Sequence, residues 1–198
     1  MTRTNRRKIC IAALMLALTC SSVLAEKPRI YTANPLDAGV AYDQRARDAY
    51  AAGVWTLEEI ENDADPSAHT TAEARRGYAR ALRAFSEAVN AEPSMYEAHT
   101  YIGYANRKLG NYEEALVAYD TALKLKADYV FAIEYQGEAY LGVDNFGRAK
   151  FNYLRLYALD KQLASKLLEA MGTWLESDDA RNMAHLASAR DWVRARMR

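Results

Sequence analysis

Histidine is the side chain that most often does acid–base or metal chemistry near neutral pH, and this chain has three of them. His69, His99 and His185 stand far apart and fall in different predicted elements. None belongs to a His-Glu-x-x-His pair, and the chain has no glycine-rich phosphate loop and no Gly-x-Ser-x-Gly elbow. We therefore expect no catalytic site and no cofactor, and we interpret His99 as a half-buried packing residue.

The densest group of carboxylates offers oxygen ligands of the kind that calcium prefers. Its members are Glu58, Glu59, Glu61, Asp63 and Asp65. The group lacks the Asp-x-Asp-x-Asp-Gly spacing of a calcium-binding loop. It is therefore interpreted as a solvated acidic loop, and no metal site is predicted.

Both cysteines, Cys10 and Cys20, lie in an N-terminal segment with the pattern of a secretory signal peptide. Four basic residues precede the apolar run at residues 9–18, and small residues lead up to Ala25. This run is shorter than the roughly 20 residues that a membrane-spanning helix needs. Cleavage of residues 1–25 is predicted, which leaves an exported, periplasmic chain without a thiol or a membrane span. An extracellular chain and a lipid anchor at Cys20 are the alternatives.

The charge of the chain changes when the predicted signal peptide is removed. All 26 acidic residues lie after Ala25, whereas four of the 26 basic residues lie before it, so residues 26–198 carry a net charge of about −4. A nucleic-acid-binding protein needs a basic surface to displace counterions. Nucleic acid is therefore excluded as the expected partner.

Small and aromatic residues in the centre of the chain return at an interval of 34 residues. The recurring sets are Tyr78, Tyr112 and Phe146; Ala81, Ala115 and Ala149; Phe85, Tyr119 and Tyr153; and Gly103 with Gly137. Capping residues and helix breakers between these sets predict pairs of helices. Ser94 with Glu97 predicts a capping box, Gly110 a left-handed helix end, and Asp144 or Asn145 the start of a later helix.

This pattern resembles the tetratricopeptide repeat family, which has an apolar-Gly pair on the first helix of each repeat, Ala-x-x-x-aromatic on the second, and a proline at the exit. The residues that carry the resemblance are Ala81, Phe85, Ala88 and Pro93; then Ile102, Gly103, Ala115, Tyr119 and Ala122; then Gly137, Tyr140, Ala149 and Tyr153. Asn106 and Gln136 depart from the family pattern. The resemblance implies an all-α fold, a solenoid of helix-turn-helix repeats with helical caps at both ends.

The same signals divide the chain into segments. They are a signal peptide at residues 1–25, a flexible lead-in at 26–34, a degenerate first repeat with an inserted loop at 35–93, repeats at 94–127 and 128–161, and C-terminal capping helices at 162–198. Within the first repeat, a helix is predicted to run from residue 35 to residue 52 and to end at Gly53.

In the family, the first helices of successive repeats line a concave groove that takes an extended peptide or a partner helix. By resemblance, the groove positions here are Glu97, Thr100, Tyr101, Tyr104, Arg107, Phe131, Glu134, Tyr135, Glu138 and Leu141. The subclass that clamps a C-terminal carboxylate has Lys and Asn at such places, so this specificity is expected to be absent. Tyrosines and glutamates favour a basic or amide-rich partner. The tyrosines alternatively cover neighbouring helices only.

Two functions remain open at this point. The first is a non-catalytic adaptor of the cell envelope that holds a protein or peptide in the groove. The second is a structural or self-assembling scaffold subunit that makes its contacts through the convex face and the helix ends. The sequence leaves the oligomeric state open.

Overall fold

The computed structural model of the protein describes residues 41–61, 72–177 and 186–197. Within these ranges the chain forms eight helices and no strand. The helices are α1 (Gln44–Glu61), α2 (Ala72–Ala91), α3 (Tyr96–Leu109), α4 (Tyr112–Leu125), α5 (Val130–Gly142), α6 (Phe146–Leu159), α7 (Lys161–Leu175) and α8 (Ala187–Arg194). Consecutive helices pack as α1–α2, α3–α4 and α5–α6 pairs, and each pair contacts the next. The expected all-α solenoid of helix pairs is confirmed.

Several predictions lie outside the described residues. They are the signal peptide, the flexible lead-in, the start of the first helix near residue 35, His69, His185, Asp63 and Asp65.

Local chemistry explains two of the predicted ends of the central helices. Gly110 follows α3 with a φ of 87°, which confirms the predicted left-handed end. The Asn145 side chain accepts a hydrogen bond from a backbone N–H in the first turn of α6, so this predicted start is also confirmed. The capping box of Ser94 with Glu97 is wrong, because Met95 precedes α3 without a side-chain cap and Glu97 is buried in the core.

The first helix ends later than its sequence predicts. Gly53 was expected to end it, but α1 continues through Gly53 to Glu61. A β-carbon at Gly53 would lie 2.6 Å from the ring of Phe85 on α2. Gly53 therefore allows α1 to approach the Phe85 ring closely and does not act as a helix stop.

Glycines of the repeat pattern serve the same purpose in the later pairs. A β-carbon at Gly103 would lie 2.5 Å from the Tyr119 ring, which brings α3 close to α4. At Gly137 the closest side chain is instead Leu167 of α7, also at 2.5 Å from such a β-carbon. The third pair therefore packs tightly against α7, which continues the stack beyond the last recognisable repeat.

A buried polar chain explains one departure from the family pattern. Gln136 occupies a position where an apolar residue is expected, and its amide donates to Asp120 of α4 at 2.7 Å. The Asn152 amide of α6 donates to the Gln136 side chain at 2.9 Å and to the Ile133 carbonyl at 2.9 Å. The polar groups of Gln136 and Asn152 are thus hydrogen-bonded within the core, as burial requires.

Candidate functional site

The ten predicted groove residues lie along the seam where α3 packs against α5. Seven of them are buried: Glu97, Thr100, Tyr101, Tyr104, Glu134, Tyr135 and Leu141. The remaining three, Arg107, Phe131 and Glu138, are partly exposed. The structure brings the predicted residues together, but it divides them into a sealed half near α1 and an open half near α7.

The sealed half of the seam consists of Glu97, Thr100, Tyr101 and Tyr104. Glu97 is 1% exposed and accepts a hydrogen bond of 3.0 Å from the hydroxyl of Tyr42, just before α1. The Thr100 hydroxyl donates to a backbone carbonyl of its own helix. These polar groups are therefore satisfied by the protein itself.

Aromatic rings fill the space between α1 and α3. Tyr101 stacks on Phe85 with ring centroids 5.1 Å apart, and its ring meets Tyr50 of α1 edge-on at 5.8 Å. Tyr104 donates its hydroxyl proton to Glu61 at the end of α1 and packs against Tyr135 at 5.1 Å. Burial raises the pKa of the Tyr104 hydroxyl well above its ordinary value, so this group stays a neutral donor. The tyrosines of this half therefore cover neighbouring helices.

The open half contains an ion pair between Arg107 of α3 and Glu138 of α5. The Arg107 guanidinium lies over the Tyr104 and Tyr135 rings, 5.3 and 5.7 Å from their centroids. Burial is the largest single influence on the pKa of Arg107 and lowers it, but Glu138, Tyr119, Tyr104 and Glu134 together outweigh burial, and the net shift is upward. The guanidinium is therefore held in its charged form. Its buried Nε has no hydrogen-bond partner among the described residues.

Glu134 lies one turn before Glu138 on α5 and is 4% exposed. Burial raises the pKa of the Glu134 carboxyl well above its ordinary value, and the negative charge of Glu138 adds to this effect. Arg107 opposes the shift without cancelling it. Of these two neighbouring glutamates, Glu138 is the one that forms the ion pair with Arg107.

A cleft of about 490 Å³ opens beside this ion pair, where α3, α5 and α7 meet. Its lining residues are Arg107, Lys108, Tyr112, Glu138, Leu141, Gly142, Ala170, Thr173 and Trp174. Its volume lies within the range of about 300 to 1,000 Å³ that is usual for ligand sites. Arg107, Glu138 and Leu141 were among the predicted groove residues, and the other six were missed.

The residues missed from the sequence belong mainly to α7 and to the ends of α3 and α5. Lys108 places its ammonium 5.4 Å from the centroid of the Tyr104 ring. Burial lowers the pKa of Lys108, and the neighbouring Arg107 lowers it further. Thr173 and Trp174 come from α7, which carries no repeat signature. The one feature of the sequence that points to α7 is Gly137, because the absence of a side chain there lets α7 approach α5.

The predicted groove residue Phe131 lies at the start of α5, away from the cleft. It is partly buried against the core, and its ring meets Tyr129 edge-on at 5.5 Å. Phe131 does not line the cleft. Its position as a groove residue stays a prediction.

Among the described candidate chemical residues, His99, Glu59 and Glu61 have structural partners. His99 is half-buried and its ring lies 3.0 Å from the Pro93 carbonyl oxygen, which confirms its interpretation as a packing residue. Glu59 pairs with Arg80 at 3.2 Å. Within residues 41–61, 72–177 and 186–197, no cluster of three His, Cys, Asp or Glu side chains is arranged to hold a metal ion. In the same ranges, no helix is long and apolar enough to cross a membrane.

The stacked helix pairs are the architecture of a helical repeat protein, and the cleft lies between α3, α5 and α7. Residues 96–129 match the family model described as tetratricopeptide repeat. Tetratricopeptide repeat protein 12 of Mus musculus is 30% identical over 95 residues, which cover 48% of this chain and 14% of that protein. The chain is therefore similar to tetratricopeptide repeat proteins, which generally mediate protein–protein interactions and are typically non-catalytic.

A solved structure is also similar. It is the complex of the TPR2B domain of yeast Sti1 with pHsp70, which aligns with a TM-score of 0.43 and 15% sequence identity. The alignment covers 79% of this chain and 100% of the yeast chain.

Proposed function

We propose that this protein is a non-catalytic adaptor of the cell envelope that binds a protein or peptide partner in the cleft between α3, α5 and α7. The observation that carries the proposal is the cleft itself. It combines the hydrogen-bonding groups of Arg107, Lys108 and Glu138 with the apolar surfaces of Leu141 and Trp174. A few convergent polar groups within a largely apolar wall are typical of binding sites.

The charges in the cleft bear on the chemistry of the partner. Glu138 is the carboxylate that lines the cleft, and its charge is compensated by Arg107, whereas Glu134 is buried and does not line the cleft. The cleft therefore lacks the uncompensated negative charge that a basic segment requires. Side-chain amides and main-chain peptide groups can donate to Glu138 and accept from Lys108 in the same position. We therefore favour an amide-rich segment over a basic one.

The experiment is selection of displayed random peptides on the purified chain, with affinities of the selected peptides measured by calorimetry. Thr173→Arg places a long side chain into the cleft from an exposed position of α7. Ser165→Arg adds the same side chain at an exposed position of α7 outside the cleft and is the matched control. Selected peptides are expected to be rich in Asn and Gln and to bind Thr173→Arg at least about tenfold more weakly, with Ser165→Arg unchanged.

Equal binding of the same peptides to all three proteins would rule out the cleft as the binding site. Selection of lysine- and arginine-rich peptides that still depend on Thr173 would keep the site and overturn the preference for amides.

The envelope location rests on the basic, apolar and small-residue segments of residues 1–25. Fractionation of the producing cells, with mass spectrometry of the recovered chain, tests it. We expect a periplasmic chain that begins at Glu26. A cytosolic chain with an intact N-terminus would contradict this location and would leave the cleft proposal in place.

A further inference from the structure

The outer face of α6 is apolar and exposed. Phe151, Leu154 and Tyr157 recur along this face at three-residue spacing, and their side chains are 55%, 49% and 54% exposed. Residues spaced in this way lie on one side of a helix. Contiguous exposed apolar surface of this kind marks an interaction site in soluble proteins.

The corresponding helix of the first pair has the opposite character. The exposed face of α2 carries Arg76, Arg80, Arg83 and Glu87, which are charged residues suited to water. No large hydrophobic residue of α2 is exposed. An apolar outer face is therefore not a general feature of the second helices in this stack.

The neighbouring helix α4 offers a complementary surface. Val117 is 68% exposed on it, and Glu113 and Glu114 are exposed one turn earlier. The 34-residue period makes Val117 equivalent to Phe151 of α6 and Glu114 equivalent to Arg148. One pair of equivalent positions is therefore apolar on both helices. The other pair has an acidic residue on α4 and a basic residue on α6.

The charges of the two helices are opposite as a whole. The charged residues of α4 are Glu113, Glu114, Asp120 and Lys124, all of them exposed. Those of α6 are Arg148, which is exposed, and the half-buried Lys150 and Arg155, which contact Trp192 and the Ala127 carbonyl of the same molecule. Opposite charge around apolar contact fixes orientation and suppresses other partners. Within one molecule the two helices belong to consecutive repeats and run in the same direction.

We propose that the outer faces of α4 and α6 form a self-association surface whose occupant is a second copy of this chain. A two-fold axis parallel to the two helices and between them places α4 of one copy against α6 of the other. Val117 then meets Phe151 of the second copy, and Glu114 lies beside Arg148 of the second copy. The same contacts occur twice, as a closed two-fold interface requires.

The dimer is expected to be weak and to leave the cleft open. Each helix has 14 residues and a length of about 21 Å, so the face presents fewer contact residues than the roughly 20 to 30 per side of a standard interface. The five apolar and charged residues at its centre, Glu114, Val117, Arg148, Phe151 and Leu154, do not line the cleft.

Analytical ultracentrifugation of the purified chain between about 5 and 500 µM tests the proposal. The wild type is expected to shift from monomer to dimer over this range. Phe151→Lys replaces an exposed side chain, so the fold tolerates it, and it is expected to weaken the dimer at least about tenfold. Arg83→Glu on the polar face of α2 is the control and is expected to leave the dimer unchanged.

A charge exchange tests the pairing of α4 with α6. Glu114→Lys and Arg148→Glu are each expected to weaken the dimer, because each single change places like charges side by side at both copies of the contact. The double variant restores opposite charges and is expected to recover the dimer. If α6 of one copy instead packs against α6 of the other, the double variant is not expected to recover the dimer. The double variant therefore shows which helices meet in the dimer.

Three results would overturn the proposal. They are a monomer at every concentration, a dimer that is insensitive to Phe151→Lys, and a double variant that is no better than either single variant. A monomeric chain would assign the exposed face to a different protein.

Discussion

The two halves of the α3–α5 seam have the same repeat register and opposite accessibility. In the sealed half, Tyr42 just before α1 contacts Glu97 and Tyr50 of α1 contacts Tyr101, so these groups find partners inside the protein. In the open half, α7 approaches α5 but leaves a cleft beside Arg107 and Glu138. Equivalent repeat positions therefore become core or cleft wall according to the neighbour that packs on them.

The largest difference between the halves is expected in stability. Tyr101→Ala removes a ring that is 2% exposed and that stacks on Phe85. We expect a loss of about 3 to 5 kcal/mol in the free energy of unfolding, because large-to-small changes in a core leave a cavity. Urea denaturation followed by circular dichroism measures this loss. A loss under about 1 kcal/mol would mean that the half is not sealed in solution.

Two glycines provide a paired test of the same contrast. Gly103→Ala directs a methyl group at the Tyr119 ring, which is fully buried and has no room to move. Gly142→Ala directs one at the Tyr112 ring, which borders the cleft and can swing into it. We expect Gly103→Ala to cost about 1 to 3 kcal/mol by overpacking and Gly142→Ala to cost less than about 1 kcal/mol. Melting curves of the two variants compare them, and equal costs would argue against a yielding cleft wall.

The pH dependence of stability is expected to come in part from the open half. The pKa of Glu134 in the folded protein is raised above its ordinary value of 4.5. Its favourable contribution is therefore complete below the unfolded pKa and is lost as the pH rises through the folded pKa. Glu134→Gln should reduce the fall in unfolding free energy between pH 5 and pH 8, as measured by urea titrations. Glu114→Gln, on an exposed position of α4, is the control and should show the same decrease in unfolding free energy as the wild type. If Glu134→Gln also shows the wild-type decrease, Glu134 is not the group responsible for it.

The smallest change in stability is expected for the variant that blocks the cleft. Thr173 is exposed, so Thr173→Arg should alter the free energy of unfolding by no more than about 0.5 kcal/mol. Differential scanning calorimetry should therefore give nearly the same melting temperature as for the wild type. A large drop would show that the cleft wall is part of the core and would weaken the contrast between the halves.

The 34-residue period predicts the central helices well because the residues that recur are the ones in close contact between helices. Gly103 and Tyr119 recur since the two helices touch there, and that contact is local in sequence. The extent of α1 was predicted wrongly, because a glycine that ends a helix and a glycine that packs inside one look alike. Only the contact of Gly53 with Phe85 of α2 distinguishes them.

The part of the candidate site that lies in clear repeats was predictable from the repeat spacing. Helical spacing correctly placed Arg107 and Glu138 on one surface, because both belong to clear repeats. The burial of Glu97 depends on Tyr42, and the cleft depends on Thr173 and Trp174. Those residues lie in segments without the repeat signature, so no periodic pattern points to them.

The hydrogen-bonded chain of Asp120, Gln136 and Asn152 has an evolutionary consequence. Replacing Asn152 alone by an apolar residue would leave the buried Gln136 carbonyl without the donor it has here. Replacing Gln136 and Asn152 together by apolar residues of similar shape would remove that penalty. Among relatives of this chain, positions 136 and 152 are therefore expected to covary. Where Gln136 is replaced, the residue at position 120 is expected to vary, because it has no amide to accept from.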